Sequence, residues 1–285
     1  MSQERTRSVF TEEDIESLRP AMKIGLLATV NDEGLPHVTL LSSLQAASPT
    51  RLTFGQFIEG LGKSHVRSNP RVGFLVMTLH REMWRGTAVF TGTARNGPEL
   101  DAYNQVPMFR YNAYFGIHTV YSFDLVQHGG REPLPMGRVV AAALATKTAA
   151  LFAGPARGDV ALNRWTRDLL NGMGNLKFAA FVDAQGFPRI VPVIQAQCCP
   201  GDRIIFSTAA FSDELSAIPA GTALAVFGMT LKMEDVLVRG IFQGTRRIGP
   251  FRCGLLDADW VYNSMPPVPG RIYPPAELTP VKTFD

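Results

Sequence analysis

An internal repeat constrains the fold of this chain more than any other feature of the sequence. Shifting the chain by 152 positions aligns it with itself without a gap from Ala28 to Pro98. A repeat this long far exceeds the period of a solenoid, so each copy is expected to be a whole domain. The longest identical run is Met77-Thr78-Leu79, which falls on Met229-Thr230-Leu231. Other identical pairs are Gly34 and Gly186, Pro36 and Pro188, Phe54 and Phe206, Phe90 and Phe242, and Gly97-Pro98 and Gly249-Pro250.

Each copy has the pattern of an antiparallel β domain. In the first copy, Lys23–Val30 is apolar and β-branched, and the turn residues Asn31-Asp32-Glu33-Gly34 separate it from a second arm over His37–Leu44. A short helix is expected over Gly62–Ser68, because Asn69-Pro70 then stops it. Further strands are predicted over Arg51–Phe54, Val72–Leu79, Arg85–Ala94 and Tyr121–Gln127. Several short strands with regular turns favour a barrel.

The segment between the copies has a different composition. Glu99–Phe115 is rich in aromatic residues and is expected to be helical, as are Arg138–Phe152 and Ala161–Leu170. We therefore predict three regions: a first domain over residues 1–135, a helical linker over residues 136–172, and a second domain over residues 173–285. Gly154-Pro155-Ala156-Arg157-Gly158 is the expected hinge.

Composition excludes several classes of function. The formal net charge is only +3, and Lys and Arg are scattered, which argues against a nucleic-acid binder. The chain has no apolar run long enough for a transmembrane helix and no signal-peptide pattern, so we expect a cytoplasmic protein without a membrane partner. Three cysteines, Cys198, Cys199 and Cys253, do not form a disulfide framework. The five histidines have no metal-ligand spacing, so no metal site is expected.

The first copy carries a series of short motifs in a definite order. Gly34-Leu35-Pro36-His37-Val38-Thr39-Leu40-Leu41-Ser42 is followed by Leu52-Thr53-Phe54-Gly55-Gln56. Lys63-Ser64-His65, Asn69-Pro70-Arg71-Val72 and Gly92-Thr93-Ala94 come next. This pattern resembles the FMN-binding split barrels of the pyridoxamine 5′-phosphate oxidase-like superfamily. The resemblance covers most of the first copy and, more weakly, the second.

The resemblance implies a mainly β fold with flanking helices, made of two tandem six-stranded antiparallel split β-barrels that form a pseudo-dimer. It also implies that FMN lies in a groove between two barrels. Second-strand residues would run along the ring and ribityl chain, the end of the third strand would meet the ring edge and phosphate, and a lysine with a neighbouring hydroxyl would bind the phosphate. The corresponding residues here are His37, Val38, Thr39, Leu40, Leu41, Ser42, Phe54, Gly55, Gln56, Lys63, Ser64 and Thr87.

The sequence departs from the oxidase at both ends of the second-strand motif. The oxidase has a basic residue at each of these positions, whereas this chain has His37 and Ser42. The loss of positive charge argues against pyridoxamine phosphate as the substrate. No catalytic residue is assigned, because flavin chemistry requires no protein nucleophile or acid–base pair.

Charge distinguishes the two copies. Lys63 at about 4 Å from a phosphate would contribute roughly 4 kcal/mol per unit charge at an effective dielectric constant near 20, before desolvation. At the 152-residue offset Lys63 becomes Leu215, which follows Asp213 and Glu214. These carboxylates would repel a phosphate, so the second copy is predicted to have a degenerate site and to close the first copy's site.

Several functions remain open at this point. The first is an FMN-dependent oxidoreductase acting on a small molecule or an electron carrier, and the second is a flavin-holding module for electron transfer, storage or sensing. The same fold could instead hold F420, or haem with His37, His65 or His118 as an axial ligand. A barrel pair without a ligand is a further alternative, and association into a homodimer also remains possible.

Overall fold

The computed structural model describes residues 6–56, 60–106, 117–154, 156, 162–199, 203–263 and 270–273. The first part of the chain contains helix α1 (Glu12–Leu18), strands β1 (Lys23–Val30), β2 (Pro36–Leu40), β3 (Gln45–Ser48) and β4 (Arg51–Gln56), helix α2 (Leu61–Ser68), strands β5 (Arg71–Thr78) and β6 (Glu82–Ala94), helix α3 (Pro98–Gln105), and strands β7 (Thr119–His128) and β8 (Glu132–Pro133).

The second part begins with two helices, α4 (Met136–Ala150) and α5 (Arg164–Asn171). They are followed by strands β9 (Leu176–Val182), β10 (Pro188–Pro192), β11 (Gln197–Cys198) and β12 (Arg203–Ser207), a 3₁₀ turn (Ala209–Phe211), helix α6 (Ser212–Ser216), and strands β13 (Ala223–Met229), β14 (Asp235–Ile248), β15 (Phe251–Asn263) and β16 (Gly270–Tyr273).

The two sheets have the same strand order, which confirms the duplication. The first runs β2-β1-β5-β6-β7-β4-β3, and the second runs β10-β9-β13-β14-β15-β12-β11. Among the described residues no ladder joins the two ends of either path, so each barrel is split rather than closed. Short strands β8 and β16 pair outside these paths. The predicted mainly β fold of two tandem split barrels is confirmed.

Loop hydrogen bonds repeat at the same offset. The Asn31 amide donates to the Leu35 carbonyl over 3.0 Å, and at the equivalent turn the Asp183 amide donates to the Phe187 carbonyl over 2.9 Å. Gly34 in the first of these turns has φ +78°, a conformation that glycine adopts without steric cost. The sequence repeat therefore specifies the same local geometry twice.

Strand β2 is shorter than the sequence pattern predicted, because the chain turns after Leu40. The Leu41 amide donates to the Gly25 carbonyl over 2.7 Å, and the Leu44 amide then donates to the Leu41 carbonyl over 3.0 Å. A Cβ on Gly25 would lie 2.3 Å from the Leu41 carbonyl oxygen. Only glycine allows the chain to cross β1 this closely, so apolar Leu41 and Leu44 lie in a turn over the core instead of in the strand.

Helix α1 is held against the first core by a buried polar contact. Asp14 accepts a 2.7 Å hydrogen bond from the Trp84 indole nitrogen, and it forms a capping box with Thr11. Phe10, Leu18 and Trp84 all belong to the hydrophobic core enclosed by this sheet. The N-terminal helix is thus part of the first barrel's core.

The chain forms two compact units. One consists of residues 1–136 with residues 179–191, and the other of residues 137–178 with residues 192–285. Most of the β9–β10 hairpin therefore belongs to the same unit as the first copy. Residues 107–115 of the predicted aromatic helix, and most of the predicted hinge at 154–158, lie outside the described residues. Among the described helices, none combines the length and apolar character needed to cross a membrane.

Candidate functional site

The register of the first sheet divides the predicted site between its two faces. One row of cross-strand partners runs over four neighbouring strands, from Val38 on β2 through Ala28 on β1 and Gly73 on β5 to Thr87 on β6. The residues of this row therefore lie on one face of the sheet. Thr39 lies on the opposite face, in the neighbouring row with Leu27 and Phe74. The structure therefore brings Thr39 together with α2, whereas Thr87 lies on the other side of the sheet.

A polar cluster lies where β2 meets α2. The rings of His37 and His65 are 5.2 Å apart between centroids in an edge-to-face arrangement. His65 Nδ1 also contacts the Thr29 hydroxyl over 3.2 Å. His37 and Thr29 are both buried. The sequence analysis named His65 only as a possible haem ligand and did not name Thr29, and the structure places both beside His37.

Thr39 is the polar residue that this cluster leaves unsatisfied. Its hydroxyl oxygen is buried and has no hydrogen-bond partner among the described residues. A Cβ on Gly62 would lie 2.5 Å from that oxygen, so only glycine lets helix α2 approach the hydroxyl this closely. Native proteins satisfy most buried polar atoms, which makes this orphan hydroxyl a candidate ligand contact. Gly62 was missed by the sequence analysis, although it directly precedes Lys63.

Lys63 and Ser64 have different surroundings on α2. Lys63 is only 7% exposed, an unusual degree of burial for lysine. Ser64 is exposed, and its hydroxyl donates to the Leu61 carbonyl within the helix over 2.7 Å. Of these two predicted phosphate contacts, only Lys63 lies on the buried side of the helix with Gly62 and Val66.

The third predicted group, on β4, is enclosed by the chain's own side chains. The ring of Phe54 stacks on Tyr121 with centroids 4.8 Å apart, inside the hydrophobic core. A Cβ on Gly55 would lie 2.4 Å from Ile117 Cδ1, so Ile117 occupies the space that the missing side chain provides. Gln56 is buried at the end of the strand. Gly55 thus has a packing role that the sequence pattern did not indicate.

Thr87 is the second orphan hydroxyl among the predicted residues. Its oxygen is buried without a hydrogen-bond partner in the described part of the chain. On the same face, a Cβ on Gly73 would lie 2.0 Å from the Pro188 carbonyl oxygen. Arg85 Nη1 donates to the Ile190 carbonyl over 3.3 Å. The β9–β10 hairpin therefore covers the face that carries Thr87.

The remaining predicted residues line the edge of the sheet. Val38 and Leu40 lie on β2, which pairs only with β1 among the described strands and so has an open backbone edge. Leu41 and Ser42 lie in the turn beyond it. An edge strand presents unpaired amide and carbonyl groups that a ligand can engage.

At the equivalent position in the second copy, the lysine is replaced by a core residue. Leu215 is fully buried in α6, and Asp213 and Glu214 precede it. Its burial shows that this helix inserts an apolar side chain where α2 has Lys63. A phosphate would find no ammonium group at this position of the second copy.

Comparisons with known structures give matches that are each about one copy long. The chain has two split barrels in tandem. HupZ of Group A Streptococcus aligns at 13% identity and TM-score 0.33 over 41% of this chain and 89% of HupZ. A putative pyridoxamine 5′-phosphate oxidase from Lactobacillus delbrueckii aligns at 17% identity and TM-score 0.33 over 43% of this chain and 94% of that one.

A third solved structure, an FMN-binding protein from Syntrophomonas wolfei, aligns at 13% identity and TM-score 0.33 over 41% of this chain and 84% of that one. No protein-family model matches the chain, and no curated protein matches it. Similarity at this level says nothing about ligand or activity, so the site has to be judged on its own residues.

The residues at the β2–α2 junction could hold a phosphorylated ligand. Thr39 supplies a buried hydroxyl without a hydrogen-bond partner among the described residues, Gly62 packs closely against it, and the adjacent Lys63 supplies positive charge. No group of three or more potential metal ligands occurs among the described residues. Burial raises the pKa of the Cys199 thiol to about 12 and that of Cys253 to about 11, which keeps both unreactive.

Proposed function

We propose that the first unit binds one FMN and that the chain is a flavin-dependent oxidoreductase. The observation that carries this proposal is the Thr39 hydroxyl, which is buried without a hydrogen-bond partner among the described residues and lies against Gly62, next to Lys63 in the chain. An unsatisfied buried hydroxyl costs free energy, and a ligand that accepts its hydrogen bond recovers that cost.

Each predicted residue has a distinct part in this proposal. Lys63 and Thr39 would hold the phosphate at the β2–α2 junction, with His37 beside them. The open edge of β2 at Val38 and Leu40 would offer backbone groups to the cofactor, and Thr87 would offer its hydroxyl on the far face. Because β2 is an edge strand, a ligand at the junction can use its open backbone edge, whereas Thr87 lies on β6, three strands further in.

When bound, FMN supplies the hydride or electron transfer, and the chain's own residues bind it, orient it and exclude water. The β9–β10 hairpin would help to exclude water, because it covers the face that carries Thr87. The second copy thus contributes this hairpin, whereas Leu215 replaces its own phosphate-binding lysine. The substrate is proposed to be a small molecule or an electron carrier.

The absorbance spectrum of the purified protein after addition of FMN tests the cofactor. We expect the bands of bound oxidised flavin, and we expect Lys63→Ala to weaken FMN binding about 10- to 100-fold, which corresponds to ~1.4–2.8 kcal/mol. Lys147→Ala is the matched control, because Lys147 is an exposed lysine on α4 in the other unit. Its FMN affinity should equal that of the wild type.

Thr39→Val gives a second test that does not depend on removing a charge. Valine has the shape of threonine without its hydroxyl, so in the absence of flavin the variant should be as stable as the wild type or more stable. Its FMN affinity should fall. Unchanged affinity in both Lys63→Ala and Thr39→Val would remove the β2–α2 junction from the site.

Turnover separates an enzyme from a flavin-holding module. We expect NAD(P)H to reduce the bound flavin and a screen of electron acceptors to reoxidise it. Flavin that binds but resists reduction would leave the binding proposal intact and overturn the oxidoreductase proposal. A haem or F420 spectrum in the purified protein would overturn FMN as the cofactor.

A further inference from the structure

A cleft of about 390 Å³ opens in the second unit, beside helix α6 and the end of β12. Ala141 and Ala145 of α4 form one wall, and the residues that follow β12 form another. Phe251 and Arg252, at the start of β15, form a third. A volume of this size lies in the range of small-molecule sites in proteins.

The α4 wall is fixed to the end of β12 by a buried hydrogen bond. The Ser207 amide donates to the Thr146 hydroxyl over 2.8 Å, and this hydroxyl donates in turn to the Ala142 carbonyl over 2.8 Å. The helix therefore presents Ala141 and Ala145 at a defined distance from the strand. At the equivalent place in the first copy Ile117 packs on Gly55, whereas the second copy leaves a cavity.

The cleft has a single charged group in its lining. Arg252 is exposed, and no carboxylate among the described residues forms an ion pair with it. The other polar side chains of the lining are hydroxyls, including those of Ser207 and Ser216, and the Thr208 hydroxyl donates to the Arg252 carbonyl over 3.4 Å. A guanidinium with neighbouring hydroxyls is suited to an oxyanion.

The surroundings favour a singly charged ligand. Ser212 is part of the lining and Asp213 is not. The Ser212 hydroxyl donates a 3.2 Å hydrogen bond to the Asp213 carboxylate. This nearby carboxylate would oppose a phosphate dianion more strongly than a carboxylate monoanion. The small apolar surfaces of Ala141 and Ala145, together with the ring of Phe251, suit a flat or short apolar body.

We propose that this cleft binds a small organic carboxylate. Its charge pairs with Arg252, and its apolar body lies against Ala141, Ala145 and Phe251. The site is independent of the proposed flavin site, since every residue that lines it belongs to the second unit.

Titration of the full-length protein with phenylacetate, followed by amide NMR, tests the proposal. Saturable shifts are expected at residues 207–209 and 251–252. Phenylacetamide has the same shape without the charge and should bind about tenfold more weakly or worse. Arg252→Gln should weaken phenylacetate binding by a similar factor, and Ala145→Leu should abolish it by filling the cleft.

Two control variants locate the binding. Arg246→Gln removes an exposed arginine of β14 that does not line the cleft, and Lys63→Ala alters only the first unit. Both should bind phenylacetate like the wild type. The proposal would be overturned by equal affinity for phenylacetamide and phenylacetate, or by unchanged phenylacetate binding in Arg252→Gln or Ala145→Leu. Loss of binding in either control variant, or the absence of a saturable shift in the millimolar range, would also overturn it.

Discussion

An arginine–aspartate pair occupies the same ladder position in both copies, but with opposite exposure. Arg203 is paired with Asp257 across β12 and β15, and Arg51 is paired with Asp124 across β4 and β7. The Arg203 guanidinium donates to both carboxylate oxygens of Asp257, over 2.6 and 3.0 Å, and the two side chains are only 6% and 12% exposed. Arg51 and Asp124 are both exposed.

Removal of one carboxylate charge should therefore have very different effects in the two copies. Asp257→Asn leaves a buried guanidinium without its counter-charge and should lower the free energy of unfolding by about 3–5 kcal/mol. Asp124→Asn should change it by at most about 1 kcal/mol. Urea denaturation of both variants measures the difference. Similar decreases in the free energy of unfolding of the two variants would contradict this account.

At the scale of elements, helix α1 depends on one carboxylate. Burial of Asp14 opposes its ionisation, but hydrogen bonds from the Thr11 backbone and the Trp84 indole outweigh this effect, so its pKa is lowered from 3.8. Because the folded-state pKa lies below the unfolded one, ionised Asp14 stabilises the fold at pH values above about 4. This contribution is lost as the pH falls through the lowered folded-state pKa.

Asp14→Asn is accordingly expected to destabilise the protein by about 1–3 kcal/mol near neutral pH, with a smaller difference from the wild type near pH 3. Glu16→Gln on the same helix is the control, because Glu16 is exposed. Thermal unfolding across this pH range gives the comparison. A destabilisation by Asp14→Asn that stays constant with pH would show that the ionised state of Asp14 does not contribute to stability.

The β9–β10 hairpin is the second element with a specific requirement. A Cβ on Gly73 would lie 2.0 Å from the Pro188 carbonyl oxygen, which is backbone and cannot rotate away. Gly73→Ala should therefore destabilise the protein by about 1–3 kcal/mol and increase amide exchange over residues 179–191. Gly129→Ala is the matched control, because nothing lies within 4 Å of its Cβ position. Equal exchange in the two variants would argue against this contact.

For the whole molecule, the main consequence of duplication is the number of cofactors. Two copies with the same strand order could hold two flavins, but the second copy has buried Leu215 where the first has Lys63. We predict one FMN per chain, because only one copy has the cation for the phosphate. Absorbance titration against protein concentration measures the ratio. A value near two would show that the second copy binds flavin without the lysine.

How far the sequence could predict the site depends on the kind of contact. The motifs identified Thr39, Lys63 and Thr87 as candidates, and the structure buries Lys63, Thr87 and the hydroxyl oxygen of Thr39. They could not show that Thr39 and Thr87 lie on opposite faces, because that depends on strand register. Nor could they show that Ile117 fills the space beside Gly55, since these residues are far apart in the chain.

The sequence by itself determined the duplication, the β class of both copies and the turns that repeat at a 152-residue offset, because periodicity and turn chemistry are local properties. Only the tertiary structure decided that residues 179–191 join the first unit and that a cleft opens beside Arg252 in the second. Both follow from contacts between segments distant in the chain, whose geometry is set by packing rather than by local pattern.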